Sequence, residues 1–178
     1  MILKKQFKIV ISLVFLISAV ELVNILSNRS LNHYGLIPRN PQGLVGILTA
    51  PWLHGSIWHY FSNILPFALF SFLLLQYGTK RYVQVSIICT LCSGLLVWLF
   101  ARSAIHVGAS GLIYGYFGYL VLAGFFSKKF KLIFISLFVG ITYGTLIFGV
   151  VPTHSYISWE SHLFGLVSGL VCAWRLRK

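Results

Sequence analysis

Six stretches of near-continuous apolar residues divide this chain, at about 7–27, 57–77, 81–101, 110–127, 132–151 and 160–176. A hydrocarbon core of about 30 Å takes roughly 20 helical residues to cross. Backbone polar groups in lipid must be satisfied within each segment or by a closed barrel. The pattern therefore predicts an all-α membrane protein: a single domain over 1–178 with six transmembrane helices. Composition agrees, since 58% of the 178 residues are hydrophobic, more than a soluble core of this length can bury. The first apolar stretch is too long for a signal peptide, and no small-residue cleavage pattern follows it, so it reads as a retained helix. Residues 28–56 form the one long connection, and its apolar second part, "GLVGILTAPWLHGS", is expected to dip into the membrane behind other protein parts.

The net charge of +12 does not indicate nucleic acid, because the basic residues form short clusters between apolar runs. Lys4, Lys5 and Lys8, then Lys80 and Arg81, then Lys128, Lys129 and Lys131, then Arg175, Arg177 and Lys178 fall on one side of a six-span layout. Arg29, Arg39 and Arg102 fall on the other. The positive-inside rule then predicts both termini in the cytoplasm, with anionic lipid contact along the basic side. All six histidines, His33, His54, His59, His106, His154 and His162, fall in the outer half of this layout. At 1.5 Å per residue His59 stands roughly 31 Å above Lys80, Asn63 roughly 25 Å, Ser110 roughly 27 Å above Lys128, and His162 roughly 20 Å above Arg175. Polar side chains at that depth, facing a bundle interior, point to function.

The residue inventory removes most chemistries. There is no aspartate, and the two glutamates are Glu21 and Glu160. A paired-aspartate protease is excluded, and no H-E-x-x-H zinc site exists. Glu160 lies two residues from His162, a poor position from which to orient that ring as a triad acid. Glu21 is expected to face the interface, and a proton-driven transporter lacks the acidic groups it needs. Cys89, Cys92 and Cys172 lie in apolar runs and read as packing residues. What is left is a serine and a histidine. Ser110 opens the fourth span and His162 the sixth. A hydroxyl becomes a useful nucleophile when a base within hydrogen-bond reach takes its proton, and an imidazole does this near neutral pH. The Ser110 amide, unpaired in a first helical turn, together with His59 and Asn63 on one face of the second span, offers donors for an oxyanion. Neither metal nor cofactor is required.

Gly108, Ala109 and Gly111 crowd Ser110, and Gly165-x-x-x-Gly169 forms a small-residue stripe one turn below His162. Small residues let membrane helices approach closely, so spans four and six are expected to press together and set the serine–histidine distance. Taken singly, Ser110 reads as a helix N-cap, His162 as an interfacial polar group, and the glycines as ordinary packing. Their joint depth on alternate helices favours a site.

These motifs resemble the rhomboid family of intramembrane serine proteases over nearly the whole chain, as a minimal six-helix bacterial-type core. The resemblance rests on "H59YFSN63" with His54 upstream, on "G108ASG111" with Tyr114, and on "H162LFGLVSG169". It implies Ser110 as nucleophile and His162 as general base. It also implies an oxyanion hole from His59, Asn63 and the Ser110 amide, with Tyr114 packed on the histidine. Span five and the loop 152–161 would gate the entry of transmembrane protein substrates from lipid, at the outer face of a bacterial inner membrane. The family's first-loop Trp-Arg pair is missing from "PQGLVGILT", which puts the anchoring of that loop in question. Two rivals carry different chemistry: a non-catalytic rhomboid-like membrane-protein binder, and a small transporter or channel.

Overall fold

The computed structural model describes residues 2–152 and 158–177. Met1, Lys178 and residues 153–157, which carry His154 and half of the expected gate loop, lie outside the described residues. Among the described residues, seven α-helices follow one another: α1 (Ile2–Leu26), the single turn α2 (Gly46–Thr49), α3 (Ile57–Leu75), α4 (Thr79–Phe100), α5 (Ser110–Ser127), α6 (Phe130–Tyr143) and α7 (Trp159–Arg175). A 3-10 segment, Gly144–Val150, extends α6. Among the described residues, five stretches are long and apolar enough to cross a membrane: Leu3–Leu26, Ile57–Leu75, Thr79–Phe100, Ser110–Ser127 and Phe130–Val150. The helix α7, at 17 residues, falls just short of that length.

Side chains that a soluble protein would hide face outward here. Phe15, Leu65 and Ile141 are each more than 70% exposed, the signature of a surface meant for lipid rather than water. The interior is built around α5, with Gly115, Gly118, Gly124, its tyrosines and Leu120 buried and α7, α6, α4 and α3 ranged around it.

Among the described elements, α5 and α7 share the most extensive contact. A Cβ placed on Gly165 would stand 2.1 Å from the Gly111 carbonyl oxygen, and one on Gly169 2.0 Å from that of Gly115. On the facing helix, a Cβ on Gly118 would meet the Leu166 carbonyl at 2.6 Å. Backbone lies directly on backbone, as the glycine stripe predicts.

The long connection is anchored after all. The Arg39 guanidinium donates to the Ala101 carbonyl at 2.7 Å, the Arg39 amide to Trp98 O at 2.9 Å, and the Trp98 indole to Asn40 O at 2.9 Å. An arginine and a tryptophan thus tie this loop to the end of α4. Leu36 and His106 exchange both backbone hydrogen bonds in an antiparallel bridge. The loop therefore grips the segment that leads into Ser110.

Candidate active site

Ser110 is not a helix cap. Ala109 occupies the N-cap position of α5 with no side-chain cap bond, and Ser110 is the first helical residue. Its amide belongs to the group that a helix start leaves unpaired, and its buried hydroxyl makes no hydrogen bond among the described residues. The N-cap explanation of the serine therefore fails.

Gly108 precedes it at φ +120°, in the region that favours glycine. Its amide donates to Ala50 O at 2.9 Å, so the left-handed turn is held by the first loop. Room is needed here as well, since a Cβ on Gly108 would lie 2.6 Å from His59 Nε2 and 2.7 Å from Cε1. The His59 ring therefore lies against the backbone two residues ahead of Ser110. His59 Nδ1 faces the Gly55 amide at 3.4 Å and accepts from it. A nitrogen that accepts carries no proton, so Nε2 is the N–H of the neutral ring. The donor is thus aimed at the approach to Ser110.

Asn63 sits one turn further along α3, buried. Its amide nitrogen donates to the His59 carbonyl at 2.7 Å, and its side-chain oxygen meets no partner among the described residues. The helix start that presents both residues is capped by Ser56, whose hydroxyl accepts the His59 amide at 3.0 Å.

His162 lies one turn into α7. Its imidazole stacks on the Tyr114 ring with centroids 4.2 Å apart and planes 5° from parallel. Tyr114 is four residues beyond Ser110, hence on the same face of α5. The imidazole accordingly rests on the helix face that carries the serine. Its Nδ1 lies 2.9 Å from the carbonyl of Gly149, in the 3-10 extension of α6. A carbonyl only accepts, so Nδ1 holds the proton and Nε2 of the neutral ring keeps its lone pair. A backbone carbonyl here occupies the place that a triad gives to a carboxylate. Sequence reasoning missed Gly149, because a carbonyl leaves no trace in residue identity.

Glu160 turns away to Arg102, its carboxylate 3.7 Å from Arg102 Nε and accepting the Arg102 amide at 3.3 Å. His106 ties the Ser110 loop to the start of α7. Its Nε2 donates to Arg102 O at 3.1 Å, its Nδ1 accepts from the Ser158 hydroxyl at 2.6 Å, and Ser158 meets Ser161 at 2.6 Å. Burial holds the His106 imidazole below its ordinary value, so at neutral pH it serves as a neutral strut.

The expectation that Glu21 faces the interface is corrected. Glu21 is 2% exposed. Asn28 and Arg29 both adopt positive φ and turn the chain back at the end of α1, which brings Arg29 Nη1 within 3.0 Å of the Glu21 carboxylate. Arg29, Asn24 and Asn32 all donate to the His54 carbonyl. His54 is fully buried, with its ring edge-on to His59 at 5.2 Å. Desolvation, then His59 and Arg29, hold its pKa down at about 3. A neutral His54 at 3.6 Å from Glu21 is a polar neighbour and not an ion pair. A network hidden from sequence thus backs the His59 side of the site.

A family profile described as the Rhomboid domain matches residues 41–178. An uncharacterized protein of Mycobacterium tuberculosis is 34% identical over 176 residues, which cover 94% of this chain and 73% of that one. An uncharacterized protein of Mycobacterium leprae is 31% identical over 94% of this chain and 70% of its own. The mitochondrial RHOMBOID-like protein 6 of Arabidopsis thaliana is 30% identical over 69% of this chain and 40% of its own. The fold is that of an all-helical, multi-pass integral membrane protein in contact with lipid. The chain belongs to the rhomboid family.

Proposed function

We propose that this protein is an intramembrane serine endopeptidase that cuts transmembrane segments of membrane proteins by a Ser110–His162 dyad. One observation carries the reading: the Tyr114 stack and the Gly149 carbonyl together orient His162 so that Nε2, with its lone pair, is the nitrogen left for Ser110. In the reaction Ser110 Oγ attacks the scissile carbonyl and His162 Nε2 takes its proton. The tetrahedral oxyanion is met by the Ser110 amide and His59 Nε2–H, with the Asn63 amide joining when it leaves the His59 carbonyl. His162 then returns the proton to the leaving amine, and water repeats the sequence on the acyl-enzyme. Throughout, Gly149 O stabilises the imidazolium through Nδ1–H. The serine–histidine hydrogen bond is unmade at rest, as in many catalytic pairs that tighten once substrate arrives.

In this reading α7 is the sixth span, both termini are cytoplasmic, and the site opens toward the outer face of a bacterial inner membrane. Support comes from the all-basic end of the bundle lying opposite Ser110 and His162. Substrates enter past α6 and the loop after it, and glycine or other helix-breaking residues in the target segment let the scissile strand unwind into the site.

The test is covalent labelling of the purified chain by a serine-directed phosphonate, run beside cleavage of a model transmembrane substrate. Wild type is expected to label and cleave, while Ser110→Ala and His162→Ala, folded by thermal melt, do neither. A folded wild type that neither labels nor cleaves any transmembrane segment is instead a non-catalytic binder. Cleavage retained by either variant rejects the dyad.

A further inference from the structure

The end of the bundle away from Ser110 contains a cavity of about 440 Å³. Four cations line it from three parts of the chain: Arg81 at the start of α4, Lys129 and Lys131 around the start of α6, and Arg177 beyond α7. The chain's two acidic side chains are committed at the other end, Glu21 to Arg29 and Glu160 to Arg102. No acidic side chain of this protein therefore answers Lys129, Lys131 or Arg177.

Part of the set is already held in position. Arg81 donates to the Leu176 carbonyl and, at 3.5 Å, to the Tyr119 hydroxyl, and Lys131 donates to Gln76 at 2.8 Å.

The remaining wall is apolar, from Ala123, Phe126, Leu132 and Ala173. Around the rim, Phe130 is 87% exposed between Lys129 and Lys131, and Trp174 is 46% exposed with the guanidinium groups of Arg175 and Arg177 over its ring. Exposed aromatics beside cations mark the headgroup level of a bilayer. A basic pocket between membrane helices at that level suits an anionic lipid.

We infer that this cavity is a binding site for the phosphate group of an anionic phospholipid, with the glycerol and upper acyl carbons against the apolar wall. The lipid ties the ends of α3, α4, α6 and α7 together. Soluble phosphate shares the anionic chemistry but not the apolar contact, so the head group of a bilayer lipid is the occupant.

The test uses the full chain in detergent, loaded with phosphatidylglycerol or with phosphatidylcholine of equal chain length, and reads retained lipid by native mass spectrometry. Phosphatidylglycerol is expected to be retained in preference. Each basic residue near an anionic surface contributes roughly a fivefold factor, so Lys129→Gln/Lys131→Gln/Arg177→Gln is expected to weaken that retention at least about tenfold. The charge-preserving set Lys129→Arg/Lys131→Arg/Arg177→Lys keeps it, as does Lys4→Gln/Lys5→Gln/Lys8→Gln, which removes the same charge elsewhere. Three results overturn the inference: equal retention of the two lipids, equal loss in the two Gln triples, or complete displacement of the lipid by excess inorganic phosphate. The readout is independent of Ser110 and His162, so it stands whatever the outcome of phosphonate labelling.

Discussion

Replacing Gly165 by alanine tests whether helix contact sets the geometry of the site. The added Cβ would stand 2.1 Å from the Gly111 carbonyl oxygen, whereas ordinary contact begins at 3.4 Å. The obstacle is backbone, which no rotamer change relieves. Relief requires α5 and α7 to part by about 1.3 Å at this level. Gly111 adjoins Ser110 and Gly165 lies one turn below His162, so the separation is passed directly to the two reacting groups. Overpacking of this kind costs roughly 1–3 kcal/mol of stability. A 1 Å misplacement of reacting groups costs on the order of 10²-fold in rate. Gly140→Ala on α6 is the control, since its Cβ would meet nothing within 4 Å and alanine there gains helix propensity of roughly 1 kcal/mol. Both variants are assayed by thermal unfolding and by cleavage of a model transmembrane substrate under single-turnover conditions. The expected pattern is a folded Gly165→Ala protein slowed about 100-fold, and a Gly140→Ala protein at the wild-type rate. A Gly165→Ala protein within threefold of wild type would show that the α5–α7 distance does not control the chemistry.

Gly108→Ala imposes an alanine at φ +120° and drives a methyl into the His59 ring. It is expected to cost roughly 1–3 kcal/mol of stability and to lower cleavage far more than substrate binding, read as kcat against KM. Arg29→Met strands the buried Glu21 carboxylate, with an expected loss of roughly 3–5 kcal/mol. Pairing it with Glu21→Gln should recover most of that loss, and a double-mutant cycle by chemical denaturation checks it. Stability should fall on acidification, because His54 takes up a proton near 6.5 when unfolded but only at about 3 when folded. Its contribution is complete above pH 6.5 and declines between pH 6.5 and 3, amounting to about 2 kcal/mol lost by pH 5. His54→Gln should flatten that slope in a melt-against-pH series.

The all-helical, multi-pass character was legible because lipid imposes a strict rule of length and polarity on any segment that crosses it. The start of α5 at Ser110 and its end at Ser127 could be read directly, since glycine, serine and lysine mark those ends. The glycine stripe on α7 was legible for the same reason, as small residues serve backbone contact wherever they recur at helical spacing. Ser110 and His162 were nominated by elimination in a chain almost without acids, and His59 and Asn63 by their spacing on one helix face. Glu21 was misread because its partner Arg29 reaches it through two left-handed residues, a turn that residue identity does not announce.

Sequence alone determined the kind of solvent and the all-helical, multi-pass character, because both follow from local composition and period. Tertiary structure decided which nitrogen of His162 carries the proton, how the first loop is anchored through Arg39 and Trp98, and where four cations converge on one cavity. These depend on carbonyls and side chains that meet from distant parts of the chain. Such meetings are fixed by packing, and packing is a property of the whole fold that no single segment holds.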